Sequence, residues 1–423
     1  MSRVSPTTFK EDDMRGRSAI LLIALVSVAC TSPRGPATPP VPRSALAPGE
    51  FLLLDTSGGI GLMDVATGEL LHDFEGAMAT PDGSALFRAT GVGSTTTVDR
   101  IDPRTGEVED SAAVRGDLTV RTVSSSGDVV LMSSPPDTWE PRRRTSIVVL
   151  DGGSGDVDRF TLRGNFEPEA FTTRADGLFM LRYRPALVPT SYRVTHLRLR
   201  SGDVRPVYGP SKVAKIVENM TATRVHHAMS PDEDVLYTLY TNQPPEFLAD
   251  AAGVDPEHAL AFIHTLDLRN GTAVCIGLPK SFGTVSRAAS ALAASPVGRT
   301  VYAIDARGGT VASMHGRTFR ADEHHVDLSV LGRGPISARV SADGDSLFVA
   351  GAAGILGLDT ETFERLPFVP TPAPVTGIAL SGDGERLFAS WNGGIGLLDP
   401  TTLATVGVVP SPVPGAVTFV GAA

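Results

Sequence analysis

Along most of the chain, short runs of apolar and β-branched residues alternate with turn-forming Gly, Asp, Ser and Pro. No long segment carries the 3.6-residue period of an amphipathic helix. One turn-plus-strand phrase recurs eight times: PGEFLLLD at 48, PDGSALFRA at 81, SGDVVLMS at 126, ADGLFMLRY at 175, PDEDVLYTLY at 231, PVGRTVYAID at 296, ADGDSLFVAG at 342 and GDGERLFAS at 382. The logic of the phrase is that Asp or Ser caps its own turn, glycine, where present, supplies the positive φ, and a strand leaves the turn. Strands such as EFLLLD and LFMLRY are apolar on both faces, the pattern of a small sheet packed between two others.

A second phrase follows the first, a strand ending in aspartate or an equivalent polar residue and a turn, as in LMDVATGEL, RIDPRTGEV, VLDGGSGDV, LRLRSGDV, TLDLRNGTA, GLDTETFE and LLDPTTLA; only the unit near 300 lacks it. Each unit then supplies a third strand (TVGVVP at 405) and a fourth (TGIAL at 376). Four antiparallel strands recurring about every 40 to 50 residues predict an all-β fold, a β-propeller of four-stranded blades with strands a to d running outward from the axis. The count is eight blades, or seven if the degenerate unit near 300 is not one. The first unit starts at Glu50 without a strand a, and the chain ends in a spare strand, PGAVTFVGAA. That strand is expected to complete the first blade and close the ring, removing the open edges of the array. The near-identical phrases GGIGLMD (58–64) and GGIGLLD (393–399) then mark the b–c turn and strand c of the first and eighth units.

VYAIDARGGTV and SGDGERLFASWNGGIGLLDPTTLATVG resemble the repeats of bacterial YVTN-type, WD40-like surface propellers. The resemblance runs from about Pro48 to the C-terminus, closest in the units around 345 and 385. It implies a propeller fold in an extracytoplasmic setting and leaves the function open, because propellers host enzymes, sensors and binding modules.

The beginning of the chain has a different character. With Met14 as an alternative start, a short basic segment (Arg15, Arg17) precedes an apolar run from Ala19 to Ala29 and then Cys30, the layout of a secretion signal over residues 1–29. VSVA followed by Cys30 is similar to a bacterial lipobox, although Ser27 stands where an aliphatic residue is usual; the resemblance implies a lipidated Cys30. Residues 31–48 hold six prolines and read as an extended tether, so that Cys30 and its linker (30–48) would precede a single propeller domain over 49–423. The localisation expected is export, with anchorage to the outer face of the cytoplasmic membrane or to the outer membrane. Cys275, in TAVCIGL, is expected to be a small buried apolar residue without a disulfide.

Composition narrows the partners. The chain carries 37 Lys and Arg against 47 Asp and Glu; removal of residues 1–29 takes away four basic and three acidic residues and leaves 33 against 44. A surface charge of that sign argues against nucleic acid. No cofactor motif is present. GGSGD at 152 fails the spacing of a hydrolase elbow, the SADGDSLF turns lack the sialidase pattern, and only Trp139 and Trp391 are available where quinoprotein propellers repeat tryptophan.

Two pairs of histidines are site candidates. His226 and His227 fall on a predicted strand a, where alternation turns them to different environments and one is a candidate to line the central channel. His324 and His325, beside Asp322, Glu323 and Asp327, fit a solvated outer strand better than a metal site, since neighbours on one strand point to opposite faces. The stronger signal is where the repeat is interrupted. Three successive b–c connections carry insertions (134–145, 184–192 and 242–259), and the d–a connection 209–222 is also long. These segments emerge on one face. They are expected to pool Trp139, Arg142, Arg143, Arg144, Tyr192, Lys212, Lys215 and Phe247 into a partner-binding surface on blades three to five, for an envelope protein or a cell-wall component. The alternative is an extracytoplasmic propeller hydrolase or lactonase with a site in the channel, which a cluster of carboxylate and histidine there would favour.

Overall fold

In the computed structural model, residues 50–134, 141–209, 220–243, 261–316 and 320–421 are described. The leader, Cys30 and the linker therefore lie outside the described residues. The strands fall in sets of four. β1 (Phe51–Asp55), β2 (Gly59–Asp64) and β3 (Leu70–Glu75) are strands b, c and d of the first blade. The second blade is β4 (Met78–Ala79), β5 (Leu86–Val92), β6 (Thr95–Ile101) and β7 (Val108–Arg115), and the third is β8 (Thr119–Val123), β9 (Val129–Ser133), β10 (Arg144–Asp151) and β11 (Val157–Arg163). The fourth is β12 (Asn165–Phe171), β13 (Gly177–Arg184), β14 (Ser191–Arg198) and β15 (Val204–Pro206), and the fifth is β16 (Thr223–Met229), β17 (Val235–Thr241), β18 (Phe262–Asp267) and β19 (Thr272–Gly277). The sixth comprises β20 (Ser290–Ala294), β21 (Thr300–Asp305), β22 (Thr310–His315) and β23 (Ala321–His325). The seventh comprises β24 (Ser337–Val340), β25 (Ser346–Ala350), β26 (Gly354–Asp359) and β27 (Arg365–Pro370), and the eighth β28 (Val375–Leu380), β29 (Leu387–Trp391), β30 (Gly394–Leu398) and β31 (Thr405–Pro410). The last strand, β32 (Ala416–Gly421), pairs with β1, giving the order β3-β2-β1-β32. The fold is an eight-bladed β-propeller of antiparallel four-stranded sheets, and the degenerate unit near 300 is a complete blade.

The apolar patterning explains the layering. Strand b of each blade sits between two neighbours in its sheet and between two blades, and is buried throughout in β9 and β17. The outermost strands keep one solvated face, as in β3 and β11. Burial of such strands is worth roughly 25 cal/mol per Å² of apolar surface, and it is distributed blade to blade rather than concentrated in one core. The cores accordingly span pairs of blades, such as the cluster joining Phe179 and Tyr183 of the fourth to Tyr240 and Phe262 of the fifth.

The repeated phrases are the turns that hold each blade in register. In the seventh unit, the Ser341 hydroxyl donates to Asp343 Oδ1 (2.5 Å) and accepts from the Ser346 amide (2.8 Å), closing the a–b hairpin. At the c–d turn, Asp359 Oδ1 accepts from the Thr362 amide (2.7 Å) and hydroxyl (2.9 Å), and Asp399 does the same with Thr402. Those bonds hold both carboxyls below the usual aspartate range. The glycines of the b–c turns are also required. At Gly59 and Gly354, with φ of 157° and 155°, an added Cβ would lie 2.1 and 2.2 Å from the carbonyls of Phe74 and Val369 on the neighbouring strand d.

The ends of the chain meet as the repeat predicts. Leu52 pairs with Val420 and Leu54 with Val417, and Arg386 of the eighth blade donates to Glu50 Oε2 at 3.1 Å. The twin phrases at 58 and 393 stand on the adjoining first and eighth blades.

Candidate functional site

Because every hairpin is antiparallel, all b–c and d–a connections leave the ring on one face and all a–b and c–d turns on the other. The described roots of the four long connections are tied together there. Arg142 Nε donates to Asn165 Oδ1 (3.0 Å) at the start of β12, and Asn165 Nδ2 reaches the Ala186 carbonyl (3.4 Å) in the next insertion. Tyr192 and Met220 exchange backbone bonds of 2.8 and 2.7 Å, joining β14 to the end of the d–a connection. The amides of Thr221 and Ala222 both donate to Gln243 Oε1 at 3.0 Å, and the Asn242 amide donates to the Gly283 carbonyl at 3.0 Å. A hydrogen-bonded collar thus runs from the third blade to the junction with the sixth.

The residues expected on this surface divide. Arg143 and Arg144 are exposed and Arg142 is half-buried against Asn165. Tyr192 is not on the surface: its ring packs in the core shared by the fourth and fifth blades, and its hydroxyl donates to the Ala222 carbonyl at 2.5 Å. The reason is that β14 begins at Ser191, so the last residues counted as loop are strand, and the Tyr192 ring takes the buried side of that strand. Trp139, Lys212, Lys215 and Phe247 lie outside the described residues.

Inside the ring is a cavity of about 840 Å³, walled by the innermost strands β4, β8, β12, β16 and β24 and by the segment before β20. Its lining carries Arg121, Glu167, Glu169, Arg224, His227, Arg287 and Arg339, together with apolar residues including Met78, Phe171 and Met229. Arg224 donates to Glu167 Oε1 at 2.9 Å and to Glu169 Oε2 at 3.0 Å, and the Tyr183 hydroxyl donates to the other oxygen of Glu167. Burial raises the Glu169 carboxyl above its usual range, against the opposing pull of Arg224. Burial also works against the Arg224 charge, but the carboxylates of Glu169 and Glu167 prevail and hold the guanidinium more firmly protonated than usual.

β-bulges aim these side chains. In β8, β12 and β16 the pairing with strand b slips by one residue, at Arg121, Glu169 and Val225. A bulge inserts a residue and resets the alternation beyond it. In β16 the insertion lets Arg224 and His227, three apart, both line the cavity. His226 turns to the sixth blade, where Nε2 lies 3.1 Å from the Arg287 carbonyl and from Ser290 Oγ. Burial, then the nearby Arg224 and Arg287 charges, depress the His227 pKa, so the ring is neutral at pH 7. The second histidine pair lies on β23, the outermost strand of the sixth blade, where His324 stacks on Phe363 with centroids 3.7 Å apart. Among the described residues no group of three or more potential ligands is placed to hold a metal ion.

Sequence reasoning reached His227 and missed the charged residues around it. The signal was present as charges interrupting the strand before the turn, in TVRTVSSSG, FEPEAF, TRVHHAM and SARVSADG. Without the bulges, alternation alone assigns several of them to the wrong face.

No protein-family model matches the chain, and no curated protein matches it. Solved structures do. Apo AztD from Citrobacter koseri is 11% identical with a TM-score of 0.52, covering 88% of this chain and 97% of its own. The dihydro-heme d1 dehydrogenase NirN, in complex with DHE, is 15% identical with a TM-score of 0.55, covering 90% and 76%. The fold is a shared one. At these identities the likeness extends to the propeller architecture and no further.

Proposed function

We propose that the protein is an exported propeller, anchored through a lipidated Cys30, that binds a partner in the cell envelope and does not catalyse a reaction. The observation that carries the reading is the collar: four long connections on one face of the third to fifth blades, with roots joined through Arg142–Asn165–Ala186, Tyr192–Met220 and Ala222–Gln243. Long loops at unrelated places would be tolerated insertions, whereas loops tied side by side make one continuous surface. The sequence of these connections carries arginine and aromatic residues, Arg143, Arg144, Trp139 and Phe247, the types that dominate recognition. The test is capture of the mature form, residues 30–423, from membranes. Replacing Trp139, Arg142 and Phe247 together by alanine is expected to lose the partner, and undiminished recovery would overturn the reading. For the anchor, Cys30→Ala is expected to release the protein from the membrane fraction.

A second reading has one observation in its favour. Glu167, Glu169 and His227 gather in the channel, the kind of cluster that would serve a hydrolase or lactonase. Both carboxylates are engaged by Arg224, however, an arrangement that holds charge in place rather than one that moves a proton. Lactone hydrolysis by the purified protein, abolished by His227→Ala, would favour this alternative.

A further inference from the structure

The channel and the protein as a whole have opposite charge. The chain has a formal charge of −10, yet the described wall of the cavity includes Arg224, Arg287 and Arg339 against two carboxylates, Glu167 and Glu169, and Arg224 engages both of those. Arg339, on the seventh blade, is held by main-chain acceptors: Nε donates to the Ile378 carbonyl (3.2 Å) and one terminal nitrogen to the Thr418 carbonyl (3.4 Å). These bonds cross to the eighth and first blades and fix the guanidinium plane without neutralising it. Among the described residues no carboxylate lies within ion-pair distance of Arg339 or of Arg287. A guanidinium has five N–H donors, and Arg339 spends two of them on carbonyls. The Arg339 side chain is exposed to the channel lumen, while the protein packed around it lowers its pKa, a cost that a bound anion would relieve. Apolar side chains share the wall with these charges, among them Met78 and Ala79 from the second blade and Val225 and Met229 from the fifth.

We propose that the central channel binds a small organic anion, its carboxylate or phosphate groups held by Arg339 and Arg287 and its apolar body lying against Met78 and Met229. A cavity of about 840 Å³ falls within the size range of small-molecule sites, and its lining offers both charged and apolar groups to a ligand. The fork geometry of arginine suits planar or tetrahedral oxyanions, and a low-dielectric channel strengthens the contact. This inference is independent of the loop surface proposed above.

The probe is naphthalene-2,6-dicarboxylate, titrated into the mature protein by isothermal calorimetry, with its neutral dimethyl ester and inorganic phosphate as comparisons. Saturable one-to-one binding of the dicarboxylate is expected, weaker in 0.5 M than in 0.05 M salt, and at least tenfold weaker for Arg339→Gln and for Arg287→Gln. Arg287 lies outside the strands, so its variant keeps the fold if loss of the Arg339 carbonyl bonds does not. Tighter binding of phosphate than of the dicarboxylate would assign the site to free phosphate and overturn the organic-anion assignment. No saturable binding, equal binding of the ester, or affinity unchanged in both variants would overturn the proposal outright. The Trp139, Arg142 and Phe247 triple variant is expected to bind the probe normally, which separates failure here from failure of the loop surface.

Discussion

Arg386 of the eighth blade donates to Glu50 across the seam where the two ends of the propeller meet, at 3.1 Å, and Glu50 is only 3% exposed. Arg386 also donates to Asp383 at 2.8 Å, so losing the Glu50 carboxylate leaves its charge half-compensated and costs less than a fully unpaired buried ion, about 1 to 2 kcal/mol. Glu50→Ala is therefore expected to lower the urea midpoint and to expose β32 to protease before the rest of the ring. Equal protection of β32 in both proteins would show that strand pairing alone closes the ring.

The Arg224 cluster offers a second check. More than a third of the Arg224 side chain is exposed to the channel, so the penalty for its loss is smaller than for a fully buried pair, about 2 kcal/mol. Arg224→Met should cost less once Glu169→Gln is present, with a coupling of about 1 kcal/mol in a double-mutant cycle measured by denaturation. Strict additivity would mean that the ion pair seen here contributes no net stability.

Acid sensitivity is expected from the core rather than from the channel alone. Burial pushes His264 down to about 4, while the unfolded chain takes up a proton near 6.5. Between those values the unfolded state binds more protons, so stability falls as pH falls, by roughly 3 kcal/mol in all from this group. His264→Phe should flatten the pH dependence of unfolding between pH 7 and 4.5 relative to the parent. An unchanged slope would mean that the ring has a way to be protonated in the fold.

Gln243 is fully buried, and its side-chain oxygen is the acceptor for two consecutive amides, Thr221 and Ala222. Gln243→Ala strands both donors, at about 2 kcal/mol. Hydrogen exchange at these two amides is expected to rise while exchange in the first and eighth blades stays as before. Retained protection would remove this residue from the collar.

The blades were legible because each repeat states its own turns. Ser341 and Asp343 close one hairpin and Asp359 with Thr362 the next, by local bonds that sequence spacing already implies. The closure was legible for the same reason, since an unpaired strand at one end and a missing one at the other leave few alternatives. The channel was not. Arg121 and Glu169 reach it through bulges, which depend on how two strands pair and leave no mark in a single strand's alternation. Tyr192 failed as a surface residue for a related reason. It lies in the first turn-distal positions of β14, where one residue of extra strand decides between loop and core.

Partner binding on the collar side requires that this face of the ring, and not the opposite one, meets the partner. A photo-crosslinking residue in place of Arg143, on the collar side, should form adducts when the mature protein is irradiated in intact membranes. The same residue in place of Glu361, in the exposed c–d turn of the seventh blade on the opposite face, should form none. Adducts from position 361 and none from 143 would contradict the account.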